Sequence, residues 1–537
     1  MKISKYYLFQ AAILAASCSA IDDPLAAGPE NLSDISSVEH EMIVLGDKLE
    51  DPYSLENVQA ALKAVYPTKA GRVDIKATDI YVRFLPEDDS DFSVLESLGV
   101  ELMDHPLDYE IVRDGDYYHD PSLPADRITW QYAVLDTQFD FPEGIEYEIL
   151  DECYIPSVTS TKTYQDIDWD AVEREAYILT GNADMLGPST KKTHSKPSGR
   201  ITIVDEDFDD GEPVGVAGVR VSCNSFVKFA KTYTDEEGYY SFDRSFTSNL
   251  RYRLVFKNKQ GFAIGFNKVL SPGSSSALGE HSPEGVSVMI DSDSNRKLYC
   301  RSIVNNAGYD YYSKCTSGEW NVSVPPSNLR IWLFQNMTDS STPMLRHGAL
   351  VDTDLISGFL GEYRDLVKCF LPDITLGLKG MDSYSSIYSA AIHEFSHASH
   401  FRQAGKSYWN KYIEYILKSF VLSGWEAYGT GTESNAGYCE IGEMWGFYIE
   451  NKLFKERYGT YLDLLGNSHW FSPQIFLYLD ERGFDPGKIF SALTEEVNTR
   501  EKLQDCLVQL YPEDSAVIVQ AFNRYQQVSL NNEPDFI

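Results

Sequence analysis

The segment "YSAAIHEFSHASHF", residues 388 to 401, constrains this chain more than any other, because it sets three histidines and a glutamate in what otherwise has the apolar content of a buried helix. Histidine is scarce here, with 10 in 537 residues. On a helix, residues i and i+4 lie one turn apart on one face, so His393 and His397 can reach a common point from one side. Glu394 projects about a quarter turn away from His393. The flanks agree with a helix: Asp382 or Ser383 supplies a cap, Ile387, Ala390 and Ala391 an apolar face, and Gly405 a stop.

His393, Glu394 and His397 form an H-E-x-x-H motif, which points to metal-assisted hydrolysis. Zn²⁺ brings the pKa of a water bound to it to near 7, a glutamate takes the proton, and the metal polarises the carbonyl under attack. Such a site has three protein ligands and an open position, so a third ligand is required. His400 shares a face with His397, but it lies seven residues from His393, about 10 Å along the axis, so those two cannot bind one ion. His400 is therefore expected outside the ligand set, as a supporting or substrate-side group.

The motif resembles those of the zincin peptidases. Metzincins continue it with a glycine and a third histidine; both are missing, and Gln403 stands where the histidine would be. Gluzincins complete the site with a glutamate on a later helix, often as E-x-[FW]-[AG], and Glu443-Met444-Trp445-Gly446 matches that pattern 46 residues after His397. Glu440, one turn earlier, is the alternative. Neither is followed four residues later by the aspartate of thermolysin-type enzymes. The resemblance covers roughly residues 290 to 537 and implies one Zn²⁺ per chain held by His393, His397 and Glu443, with Glu394 as general base. It also implies an oxyanion donor, for which Tyr438 and His469 are candidates, and an edge strand, "DITLGL" at 373 to 378, that pairs with a peptide substrate.

The N-terminus has Lys2 and Lys5, an apolar run from Tyr6 to Ala16, then Ser17-Cys18. That is too short to span a bilayer and has the layout of an export signal, residues 1 to 17. Ala15-Ala16-Ser17-Cys18 resembles the lipobox of bacterial lipoproteins, which implies lipidation of Cys18 and a membrane anchor through a tether at 18 to 38. "IYVRFLP", "PLDYEI", "DYYHDP" and "TWQYAV" resemble N-terminal regions of zinc-binding lipoprotein peptidases of Gram-negative bacteria. That implies an exported lipoprotein at the outer membrane or cell surface. His119, in "YYHDP", reads as a turn histidine.

The stretch 181 to 197 lacks periodicity and is rich in Gly, Pro, Ser and Thr, so it reads as a linker after an N-terminal α+β domain at 39 to 180. In that domain "SLENVQAALKAVY" has helical spacing with Ser54 as its cap, "DIYVRFLP" alternates like a strand, and the acidic run at 87 to 91 reads as a solvated loop. From 198 to 275, short β-rich runs separated by "DDGEP" and "DEEG" predict a small antiparallel β-sandwich. Gly199, Asp205, Pro213, Val214, Gly218, Val219, Val221 and the run Thr234 to Tyr240 resemble the carboxypeptidase regulatory-like domain, a transthyretin-type sandwich with a supporting role. Longer helical segments with a few strands fill 285 to 537. The expected fold class is multidomain α+β: a mixed N-terminal domain, the sandwich, and a zincin-like metallopeptidase domain.

A formal charge of −35 with no Lys/Arg block argues against phosphate-backbone contacts, so no nucleic-acid partner is expected. The cysteines after Cys18 are scattered and form no C-x-x-C pair, so neither a dense disulfide framework nor a cysteine zinc site is indicated; a bridge between Cys300 and Cys315 stays open. The partner implied by the motif is a peptide or protein substrate. A second reading, from another class, is an adhesion or binding lipoprotein that keeps the same fold as a scaffold, since nearly half of the chain carries no catalytic constellation.

Overall fold

The computed structural model describes residues 42–68, 73–124, 127–156, 166–186, 195–266, 273–349, 371–422, 428–462 and 470–525. The expected export signal, Cys18, the tether and His469 lie outside the described residues, as does the middle of the expected linker. Among the described residues no helix is long and apolar enough to cross a membrane.

The chain is mixed α+β with several sheets. In the N-terminal part β1 (Val44–Lys48), β2 (Asp79–Leu85), β3 (Tyr109–Arg113), β4 (Gln131–Asp136) and β5 (Glu146–Cys153) join α1 (Leu55–Val65), α2 (Asp89–Ser97) and α3 (Trp169–Leu179). Ser54 caps α1 by accepting from Asn57 N. β2 runs between β4 and β5, antiparallel to both, and separate apolar clusters cover its two faces, Ile80, Val82 and Phe84 in one and Tyr81 and Leu85 in the other, so "IYVRFL" is buried on both faces rather than half exposed. The acidic run is an exposed loop only at Glu87 and Asp88: Asp88 accepts hydrogen bonds from Ser90 N and Asp91 N and starts α2 at Asp89, since carboxylates satisfy the free N–H groups of a helix N-terminus.

The β-rich runs form β6 (Ser198–Ile203), β7 (Val214–Gly215), β8 (Val219–Ser225), β9 (Lys228–Tyr233), β10 (Tyr239–Ser241), β11 (Leu250–Asn258), β12 (Phe262–Phe266), β13 (Ser275–His281) and β14 (Val288–Ile290). The "DEEG" turn needs its glycine: Gly238 has φ +81°, and a Cβ there would lie 2.1 Å from Ile201 O. This region does not close on itself at residue 275. β12 pairs in parallel with β15 (Leu329–Phe334), and β15 with β16 (Ile374–Gly377), so the sheet β16-β15-β12-β11-β8-β9 continues into the C-terminal region. One apolar core accordingly runs from Ile201 to Phe522, and the segments expected at 198–275 and 285–537 share it.

Helices complete the C-terminal part: α4 (Arg296–Thr316), α5 (Tyr384–Leu422), α6 (Ala436–Tyr458), α7 (Gln474–Asp480), α8 (Pro486–Phe490), α9 (Arg500–Leu510) and α10 (Ser515–Arg524). Cys300 and Cys315 both lie on α4 as free thiols, about 22 Å apart along its axis, which rules out a bridge between them.

The N-terminal part docks on the rest through α3 and through charge. Tyr177 Oη meets Ser225 Oγ at 2.6 Å, and buried Glu173 pairs with Lys228 at 3.0 Å. Around this contact, acids on the N-terminal side face bases on the other: Asp89 pairs with Arg330 and Arg346, Glu96 with Lys257, Glu101 with Arg220 and Lys231, Asp114 with Arg253, and Asp116 with Lys297 and Arg301.

Candidate metal centre

The motif helix begins where Ser383 Oγ accepts from Ser386 N, so Ser383 rather than Asp382 is the side-chain cap. The helix is interrupted at Gly405, whose φ of 84° and ψ of 170° are non-helical, and it then resumes. That break brings Trp409 and Tyr412 back over His397, with ring centroids 5.7 and 5.8 Å from its imidazole. Phe395, on the opposite face, packs against Phe262, Tyr311 and Tyr312 and fixes the helix on the sheet and α4.

α6 crosses this helix and carries Glu443. Glu443 Oε2 lies 3.4 Å from His393 Nε2, and its Oε1 lies 3.7 Å from His397 Nε2. Among the described residues these three form a group whose ligand atoms all lie within 4.8 Å of one another, and all three are buried. So close a crossing requires a glycine at 446, because a Cβ there would stand 2.6 Å from His393 Nε2 and 3.0 Å from His397 Cε1. Trp445 Nε1 donates to Ser396 O at 3.1 Å and ties the two helices together. Two imidazoles and one carboxylate around a point kept clear by a missing side chain are a donor set that fits a divalent metal ion.

The choice between the two glutamates follows from what each meets. Glu440 is engaged by Arg500, whose Nη2 is 2.5 Å away, and it is not part of the group. His400 is also outside it; the ring is fully buried against Tyr408 and Trp409, and neither nitrogen has a hydrogen-bond partner among the described residues. The Tyr438 hydroxyl accepts from Asn498 Nδ2 at 2.8 Å. His119 meets Arg127 O at 3.1 Å, as a turn histidine does.

Three further residues complete the surroundings. Glu450 Oε2 lies 3.0 Å from His393 Nδ1 and is 5% exposed, so it fixes the ring with Nε2 toward Glu443. It stands seven residues after Glu443, two turns along the same face, and that spacing is the signal that could have found it. Tyr412 donates its hydroxyl to Glu443 Oε1 at 2.5 Å, and the Thr342 hydroxyl donates to Glu394 Oε2 at 2.6 Å. No sequence pattern marks Thr342, because it comes from a loop 52 residues earlier.

The electrostatics separate the groups by role. Burial alone would depress His393, but Glu443 and Glu450 outweigh it and hold the imidazole up at about 10. His397 and His400 are pushed down to about 3 by burial. Burial works to raise Glu443, and His397, His393 and Tyr412 override it and hold it at about 2. Glu394 is pushed up to about 8, chiefly by burial, which suits a carboxylate that must take up and release a proton near neutral pH.

β16 lies at the end of its sheet beside the motif helix, as the expected substrate-pairing strand should. Its outer edge is nevertheless covered: Ser341 N donates to Thr375 O, and Thr375 N donates to Ser341 O, both at 2.8 Å. In comparisons with known proteins, the chain matches no protein-family model and no curated protein.

Proposed function

We propose that this chain is a zinc-dependent peptidase of gluzincin type, carried on an exported lipoprotein anchored through Cys18. The observation that carries the reading is the buried His393, His397 and Glu443 group, with the Glu394 carboxylate beside it and a third carboxylate, Glu450, behind it. His393 and His397 would hold the ion through Nε2 and Glu443 through its carboxylate, while Glu450 keeps His393 in the tautomer that presents Nε2. A zinc ion held there supplies a Lewis acid and brings the pKa of a water it binds to near 7.

Glu394 then removes the proton from the attacking water and delivers it to the amine that leaves. Tyr412 and Tyr428 both place hydroxyls on Glu443, at 2.5 and 3.4 Å, and restrain the carboxylate in its binding orientation. Trp409, Tyr412 and Phe447 wall the site and keep bulk water out, which strengthens each charge interaction inside it. The strand-rich region, which resembles a carboxypeptidase regulatory-like sandwich, acts as support, because its sheet continues into the strands that flank the motif helix.

Hydrolysis by Glu394→Gln protein tests the reading. Turnover of a susceptible peptide is expected to fall by about 10²- to 10⁴-fold with zinc content unchanged. Unchanged turnover would remove Glu394 from the chemistry and return the lead to a binding protein that uses this fold as a scaffold.

A further inference from the structure

The described site is closed, and it is closed by the chain itself. His393, Glu394, His397 and Glu443 are all 3% exposed or less. A peptide that adds to a sheet edge lies extended along it and exchanges backbone hydrogen bonds with it. Residues 339 to 344 already occupy that edge. Ser341 runs antiparallel to Thr375 and exchanges both backbone hydrogen bonds with it, the two side-chain oxygens lie 2.7 Å apart, and Met344 N donates to Asp373 O at 3.0 Å.

The next residue, Thr342, bonds the general base. Its hydroxyl reaches Glu394 Oε2 at 2.6 Å and Glu394 O at 3.0 Å, and its carbonyl accepts from Trp409 Nε1 at 2.9 Å.

The first four residues of this segment set it apart from a permanent core element, whereas Met344 at its end is fully buried in the apolar core and anchors it. Asp339, Ser340, Ser341 and Thr342 are 5% exposed or less, whereas interior positions of this kind are usually apolar. Polar side chains buried on hydrogen bonds regain equivalent bonds in water, so a strap of this make-up leaves its groove at far smaller penalty than an apolar one.

We propose that Asp339 to Thr342, tethered at the core-packed Met344, is an internal plug, seated as a substrate would be, and that the site becomes competent only when the plug is displaced. The proposal rests on the metallopeptidase reading. Thr342 is a positioning residue in the closed state, holding the Glu394 carboxylate away from a water, and the segment that displaces the plug is an extended peptide competing for the edge of β16.

Three full-length variants test it. Ser341→Pro deletes the N–H that bonds Thr375 O, Thr342→Val removes the hydroxyl on Glu394 with little change of shape, and Ser341→Cys with Thr375→Cys allows a cross-link where the two side chains already meet. After loading with zinc, each is assayed for zinc content, for the rate at which 1,10-phenanthroline strips the metal, and for hydrolysis of a quenched fluorescent peptide library. The plug predicts one zinc per chain throughout, with stripping and hydrolysis about tenfold faster in the first two variants, a difference of about 1.4 kcal/mol. In the oxidised cross-linked protein both should be slower than in the parent and recover on reduction. If Ser341→Pro fails to fold, Thr342→Val and the cross-link decide. One zinc per chain with equal rates in all forms overturns the plug and leaves the metal site standing, whereas no zinc in any form overturns both.

Discussion

Glu450 shows how much a single side chain sets at this site. It bonds His393 Nδ1 at 3.0 Å from a position 5% exposed, and together with Glu443 it holds the ring protonated up to about 10 against the depressing effect of burial. A metal ion must displace that proton, so zinc affinity is expected to rise with pH through the neutral range and level off near the pKa. The linkage to stability has the opposite sense. A histidine whose folded pKa lies above its unfolded value near 6.5 adds stability that is fully present below that value, and the contribution is lost as pH rises toward about 10. Glu450→Gln keeps the oxygen but removes the charge. It should weaken zinc binding by about 10- to 100-fold and flatten the pH dependence of affinity, which calorimetric titration at several pH values would measure. An unchanged affinity would mean that Glu450 does no more than fill space.

At the scale of elements, the crossing of α5 and α6 makes the site, and Gly446 makes the crossing. Ala favours a helix over Gly by about 1 kcal/mol, so on propensity alone Gly446→Ala should stabilise α6. The added Cβ would instead stand 2.6 Å from His393 Nε2. The expected outcome is at least a tenfold loss of zinc affinity, equivalent to about 1.4 kcal/mol, read by competition with a zinc chelator. The start of the motif helix and the pairing of the two helices were legible in the sequence because their signals are local, a cap at Asp382 or Ser383 and the spacings of His393, His397 and Glu443, whereas Gly405 reads as a stop and the helix in fact resumes beyond it. The acidic run at 87 to 91 was misread because Asp88 as a cap and Asp89 as an ion-pair partner both look like solvated acids until the bases opposite are known. The cover on β16 had no local signal at all. Ser341 meets Thr375 from 34 residues away, and a Ser-Ser-Thr-Pro run reads as an ordinary loop.

Across the whole molecule, part of the acidity has a structural use. Carboxylates of the N-terminal part meet arginines and lysines of the strand and helix regions, and one of them, Asp116, pairs with the fully buried Arg301. Burial acts to raise the Asp116 pKa, but Arg301 and Lys297 outweigh it and hold it below the ordinary carboxylate value. A depressed acid contributes stability above its unfolded pKa of about 3.9, and this is lost as pH falls through the folded value. Asp116→Asn keeps a carbonyl oxygen as acceptor beside Ser275 O and Ser276 Oγ but removes the negative charge that faces buried Arg301, so a loss of roughly 3 kcal/mol near neutral pH is expected. Denaturant melts at pH 7 and at pH 3 should show the deficit at the first and a smaller one at the second. The shared core from Ile201 to Phe522 was not legible as such, because short β runs followed by long helices give the same pattern whether they form two domains or one.

If His393, His397 and Glu443 hold one metal ion, zinc content per chain depends on Glu443 and not on Glu440. It should be measured on protein that starts after Cys18, is purified without chelator and is given the metal back, comparing the parent with Glu443→Ala and Glu440→Ala. About one zinc in the parent and in Glu440→Ala, with the metal lost in Glu443→Ala, is the predicted result, since Glu443 faces both histidines and Glu440 faces Arg500. No zinc in the parent, or loss in Glu440→Ala alone, would contradict it.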